Sequence, residues 1–171
     1  MNFTSVMKST FFALFLLSSS FSFADDSLKG LEIAIKADKT SDGFVDSQST
    51  MEMQLTNRKG NVVTRKMKSK RLEMKGDGDK SLIIFESPRD VKGVAILSFS
   101  HKTSADDQWL YLPALKRVKR IASKNKSGPF LGSEYTFEDL SSQEVEKFSY
   151  LFLRDEDLDG QPNHVIERTP L

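Results

Sequence analysis

Asp155, Asp157 and Asp159 alternate ahead of Gly160, and that spacing is the first half of a calcium loop, where carboxylates converge and glycine allows a sharp turn. The closing glutamate belongs at the twelfth loop position, where the chain has Ile166, with Glu167 one place late. An acidic hairpin turn with Asp159-Gly160 at its tip uses the same residues more simply, and is the favoured reading. Glu138-Asp139 offers adjacent carboxylates, but neighbours on a strand or helix point apart, so a capping or turn role is expected. His101 and His164 are the two histidines, and neither stands beside a motif. The sequence has no Gly-x-Ser-x-Gly elbow, His-Glu-x-x-His, phosphate loop or dinucleotide fingerprint. Neither an enzyme nor a cofactor nor a metal centre is expected.

A second group is cationic. Lys116, Arg117, Lys119, Arg120, Lys124 and Lys126 crowd one short run. The whole chain has 25 basic and 24 acidic residues, a net +1, which gives no global reason to bind nucleic acid. Arg117, Lys119 and Arg120 are candidates for meeting anionic headgroups or an acidic partner surface. A solvated hairpin face satisfies the same pattern. The absence of cysteine excludes disulfides, thiolate metal sites and lipid attachment through a cysteine.

The apolar residues indicate what must position these groups. Phe11–Leu17 is a short apolar run preceded by Lys8, and Ser22-Phe23-Ala24 supplies small residues for cleavage. Residues 1–24 therefore read as a secretory signal peptide, too short for a bilayer span, with residues 25–171 as one exported domain carrying no membrane anchor. Ser27 to Lys39 reads as a helix with Leu28, Leu31, Ala34 and Ile35 on its apolar stripe. Ile33 falls off that stripe. Period-two patterning follows at Met51, Met53 and Leu55, then a turn at Asn57–Gly60 and a long cationic return strand from Asn61 to Lys75. Ser81–Glu86, Val94–Phe99, Gln108–Leu112 and Arg117–Ile121 are further strands. Ser141 to Lys147 is a short helix candidate, and Phe148–Leu153 with Asn163–Thr169 reads as a last hairpin. Hairpin-length spacing without a βαβ pattern argues for an antiparallel meander.

Between the strands, Phe130 and Leu131 stand in a glycine-flanked loop, Gly128-Pro129-Phe130-Leu131-Gly132. The stretches "QWLYLPALKRVKRI", "GPFLGSEYTFEDL" and "DGQPNHVIERTP", with the earlier "DGFVDSQSTMEMQLTNRKGNVVTRKM", resemble the outer-membrane lipoprotein-sorting protein family, relatives of the periplasmic carriers LolA and LolB. The resemblance runs from about Leu28 to the last residue and implies a sequence truncated at its C-terminus relative to the family. It implies a mainly β, α+β fold: a curved, unclosed antiparallel sheet, a half-barrel, wrapped around an N-terminal helix and a loop or helix lid. It also implies an apolar cavity on the concave face and a place beside inner-membrane transporters of the resistance-nodulation-division type.

Outside the expected leader, seven phenylalanines and four methionines remain to fit such a hollow, since methionine adapts to irregular apolar shapes. Met51, Met53, Ile83, Phe85, Ile96, Trp109 and Tyr111 are the expected wall, and Phe130, Leu131 and Phe137 the expected lid. Plain core packing is the commoner role for each of the wall residues, and the sequence alone does not separate core from ligand contact. The expected function is a monomeric periplasmic carrier that encloses a lipid, or the acyl chains of a lipoprotein, between inner and outer membrane. The alternative is a non-catalytic binding or scaffold module for an envelope transporter.

Overall fold

A computed structural model of the chain describes residues 20–171. The expected signal peptide lies outside the described residues up to position 19. Helix α1 spans Ser20–Lys39, so it begins ahead of the expected start at Ser27. Lys36 and Lys39 lie in its last turn, where cations complement the helix dipole. The chain leaves the helix through Gly43, at φ 87°. The Gly43 and Val45 N–H groups donate to the Glu73 carboxylate at 2.7 and 2.9 Å.

Six strands follow in sequence order as one antiparallel meander: β1 (Asp46–Thr56), β2 (Val62–Leu72), β3 (Lys80–Ser87), β4 (Ala95–Phe99), β5 (Asp107–Leu112) and β6 (Arg117–Arg120). A separate hairpin pairs β7 (Phe148–Leu158) with β8 (Gln161–Pro170). The sheet is not closed into a barrel, and the mainly β half-barrel class holds. A register shift at Lys66/Met67 places an irregularity in the β2–β3 ladder, a feature that bends a strand and strengthens its twist.

Partner residues across a sheet share a face, so the register sorts the side chains. One face carries Ser69, Ile83, Ile96 and Leu110 in a continuous row, with Met51, Met67 and Phe85 in the row beside it. Phe85 and Ile96 are each 1% exposed, and Phe130 is 0% exposed against the same side. This concave side is the core. Here Phe85 and Ile96 are interior packing, not free wall.

The helix packs differently from expectation. Leu28, Leu31 and Ile35 are exposed, whereas Gly30 and Ala34 are buried. A Cβ built on Gly30 would come 2.8 Å from the Phe152 backbone nitrogen and 2.9 Å from the Leu151 carbonyl carbon. α1 therefore seats its small-residue side directly on the β7 backbone, on the hairpin and not in the hollow of the six-stranded sheet. Of the expected stripe Ala34 alone is buried, and the packed side centres on Gly30 and Ala34.

Candidate functional site

The concave side divides into a filled half and an open half. The segment between β6 and β7 fills the first. Phe130 packs against Phe85 with ring centroids 5.7 Å apart and edge-on to Phe137 at 5.3 Å, making a buried aromatic triad. A tight turn holds Phe130 there. Its N–H donates to the Tyr135 carbonyl at 2.6 Å, and its own carbonyl accepts from the Ser133 N–H at 3.0 Å and from Ser133 Oγ at 2.7 Å. Leu131 sits at φ 48° and Gly132 at φ 74°, so the reversal uses left-handed backbone that costs a leucine about 1–2 kcal/mol. Arg65, rising from β2, donates Nη1 to the Leu131 carbonyl at 2.9 Å and ties the turn to the sheet.

Gln108 fastens the rest of the segment. It is fully buried on β5, with Nε2 2.7 Å from the Phe137 carbonyl and 2.9 Å from Ser141 Oγ. Asp139 accepts from the Thr136 N–H and hydroxyl, both at 2.7 Å, and these bonds hold its carboxyl below the ordinary range. Of the capping or turn role expected for this carboxylate pair, Asp139 takes the turn: it closes the reversal over 136–139.

The open half is a cavity of about 930 Å³ between β1–β2, the end of α1 and the edge of the filled segment. Met51, Met53, Met67, Ile83, Phe130 and Leu140 supply its apolar end. Its other end is polar. Arg71 pairs with Asp79 at 2.9 Å, Glu73 accepts the two backbone N–H groups already described, and Asp77 meets His101. The Gly43 and Val45 N–H groups lower the Glu73 pKa. Burial raises that of Glu144, another lining carboxyl, with the nearby Asp79 charge adding to the effect.

Of the residues expected to form wall and lid, the cavity gathers Met51, Met53, Ile83 and Phe130. Phe137 and Leu131 pack beside it on the core. Trp109 and Tyr111 occupy alternate positions to the buried Gln108 and Leu110 on β5, so they face the convex side. They do not belong to the hollow. Arg117, Val118, Lys119 and Arg120 are all exposed on the outer strand β6. Lys126 departs from its solvated run: it is buried and donates Nζ to the Asp106 carbonyl at 2.5 Å.

The acidic turn closes as a two-residue hairpin at Asp159-Gly160, both at positive φ, with the Gly160 N–H on Asp157 Oδ1 at 2.8 Å. Asp155 is engaged by His164 at 2.5 Å and lies 3.8 Å from Lys29. Sequence reading missed Arg65, Glu73 and Gln108. Each is polar within a strand or at its end, and its importance comes from a partner at least 28 positions away.

A family model described as "Uncharacterized protein" matches residues 77–171. Among solved structures, a domain from Vibrio parahaemolyticus named as a candidate outer membrane lipoprotein-sorting protein is 56% identical, with TM-score 0.81, covering 84% of this chain and 61% of that one. A DUF1329 family protein from Desulfovibrio piger is 33% identical, with TM-score 0.78, covering 85% and 62%. A LolA superfamily protein from Nitrosomonas europaea is 19% identical, with TM-score 0.59, covering 83% and 59%, a likeness of fold alone. The chain thus spans about three fifths of the length of these structures. No curated protein matches it.

Proposed function

We propose that the chain, which matches a family model over residues 77–171 and is 56% identical to the lipoprotein-sorting domain, is a member of the outer-membrane lipoprotein-sorting protein family and a periplasmic carrier of a lipid or of lipoprotein acyl chains. The fold is of carrier type. The observation that supports the reading is the cavity of about 930 Å³ with Met51, Met53 and Met67 at its apolar end. Its size falls near the top of the roughly 300–1,000 Å³ range of small-ligand sites. Each methylene of an acyl chain moved through water costs about 0.8 kcal/mol of exposure, so a shuttle must enclose the chain and still release it. Flexible thioethers suit a chain with no single shape.

The carrier needs no bond-making step, and no catalytic residue is assigned. Cargo enters through the open half, since the filled half is closed by Phe130 and its turn. Release to the outer membrane and supply from an inner-membrane transporter of the resistance-nodulation-division type complete the proposal, and the family resemblance is their support.

Native mass spectrometry after mild purification from the periplasm tests it. A mass increment that fragments to a lipid or an acylated peptide is expected. A bare protein bound in fixed stoichiometry to an envelope protein would replace carriage with the scaffold reading, and turnover of an ester substrate would replace it with an enzyme.

A further inference from the structure

The convex face of the six-stranded sheet has an ordering that the cavity does not explain. Reading the register across the strands, one row runs Lys70, Leu82, Leu97, Trp109, Arg120. The next runs Lys68, Ile84, Ala95, Tyr111, Val118. A third brings Lys80 beside Phe99 and Asp107. The middle of the first two rows is apolar or aromatic, Lys70 and Lys68 stand at their β2 ends, and Arg120 closes the first row at β6.

The side chains are arranged as a surface and not as a second core. Leu82, Ile84, Leu97, Phe99, Trp109 and Tyr111 are all only partly exposed, and Trp109 packs edge-on to Phe99 at 5.1 Å. Yet α1 packs on the β7–β8 hairpin and not on this face. Val118, at the rim, is 61% exposed. Lys80 reaches over the Phe99 ring with Nζ 4.7 Å from its centroid.

Charge decides what fits. Five cations of this face (Lys66, Lys68, Lys70, Lys80 and Arg120) share it with four carboxylates, Asp46, Glu52, Glu86 and Asp107, three of which form ion pairs. Lys66 pairs with Glu52 at 3.3 Å, Lys68 with Glu86 at 2.6 Å, and Arg120 with Asp107. Lys70 and Lys80 have no carboxylate partner among the described residues, and of the β6 cations Arg120, opposite Trp109, shares this face. Exposed ion pairs hold weakly and exchange readily for other anions. An apolar band rich in aromatic residues and bordered on two sides by lysine and arginine has the chemistry of an interfacial surface: rings at headgroup depth, cations on phosphates.

We propose that the convex face docks on an anionic lipid bilayer through the Trp109–Tyr111–Phe99 band, the flanking lysines of β2 and Arg120 of β6. The cavity lies on the other side of the same sheet, so a docked molecule keeps its hollow turned away from the bilayer plane. This surface stands independently of whether the cavity carries cargo.

Trp109 is the only tryptophan in the sequence, so its emission reports this face alone. The purified protein is mixed with phosphatidylcholine vesicles with and without about 30 mol % phosphatidylglycerol. Expected results are binding only to the anionic vesicles, a blue shift of Trp109, and quenching by lipids brominated along their acyl chains. Raising the salt from roughly 0.05 to 0.5 M weakens binding about tenfold or more. The triple variant Lys66→Glu, Lys68→Glu, Lys70→Glu loses vesicle binding, and Lys66→Gln, Lys68→Gln, Lys70→Gln weakens it with an unchanged thermal melt. No binding to anionic vesicles overturns the proposal and leaves the band to a protein partner. Binding with Trp109 unshifted and unquenched also overturns it, while leaving the carrier reading intact, because lipid would then have been met through the concave side.

Discussion

His101 bridges two turns of the sheet through paired carboxylates. Its Nδ1 lies 2.7 Å from Asp77 Oδ2, its Nε2 lies 3.4 Å from Asp107 Oδ2, and Asp107 in turn holds Arg120. The Asp77 bond, helped by Asp107, raises the His101 pKa above 6.5. The same bond, with the Lys102 and Gly78 N–H groups, lowers Asp77 from 3.8 to about 2. A raised histidine contributes its full stabilisation below its unfolded value and loses it as pH climbs through the folded one. A depressed aspartate contributes above its unfolded value and loses it as pH falls toward the folded one. Thermal unfolding should therefore show a melting temperature that declines as pH rises past 6.5, and a second decline as pH drops from 3.8 toward about 2. His101→Asn should abolish the upper slope; an unchanged slope would show that the bridge does not hold in solution. None of this pairing was legible in the sequence, where Asp77 and His101 are separated by a whole hairpin and two strands. Asp139 was legible, because its partner Thr136 lies three residues away.

At the scale of elements, strands read better than the helix. Met51, Met53 and Leu55 alternate against water and interior as the sequence suggests, and all six meander strands fall where apolar alternation and turns place them. A strand offers only two faces, so alternation nearly determines orientation. A helix can turn any side inward, and α1 buries Gly30 and Ala34 while Leu28 is 63% exposed. Backbone closeness, not side-chain bulk, decides that contact. Gly30→Ala should destabilise the fold, since its Cβ would meet β7 backbone at 2.8 Å. Such overpacking costs about 1–3 kcal/mol, more than the roughly 1 kcal/mol that alanine gains over glycine in a helix. Leu28→Ala should stay within about 0.5 kcal/mol of the parent. Urea unfolding of the two variants measures the contrast, and a larger loss for Leu28→Ala would reverse the assignment of the packed side.

Taken whole, the molecule divides the concave side of one sheet into a packed half and an open half. The expected lid is the clearest case. Glycines around Phe130 and Leu131 suggested a mobile tip over an apolar ligand, yet Phe130 is fully buried and its turn is fastened by Arg65, Ser133 and the Tyr135 carbonyl. The glycines serve a tight reversal, and the aromatic is core. The hollow that remains lies under β1 and β2, where Met51 and Met53 are only partly covered while Met67 is buried. Stability and binding should therefore separate by position. Phe130→Ala removes a packed ring and should cost about 3–5 kcal/mol. Met51→Lys with Met53→Lys places two charges beside open space, where water can still reach them. That double variant should keep a melting temperature close to the parent's while binding a fluorescent fatty acid at least about tenfold more weakly, since a buried acyl chain tolerates no unpaired ammonium beside it. Titration and melting of both variants give four numbers. If the methionine pair proved as destabilising as Phe130→Ala and left fatty-acid affinity unchanged, the open half would be core in solution, and the division of the concave face would fall.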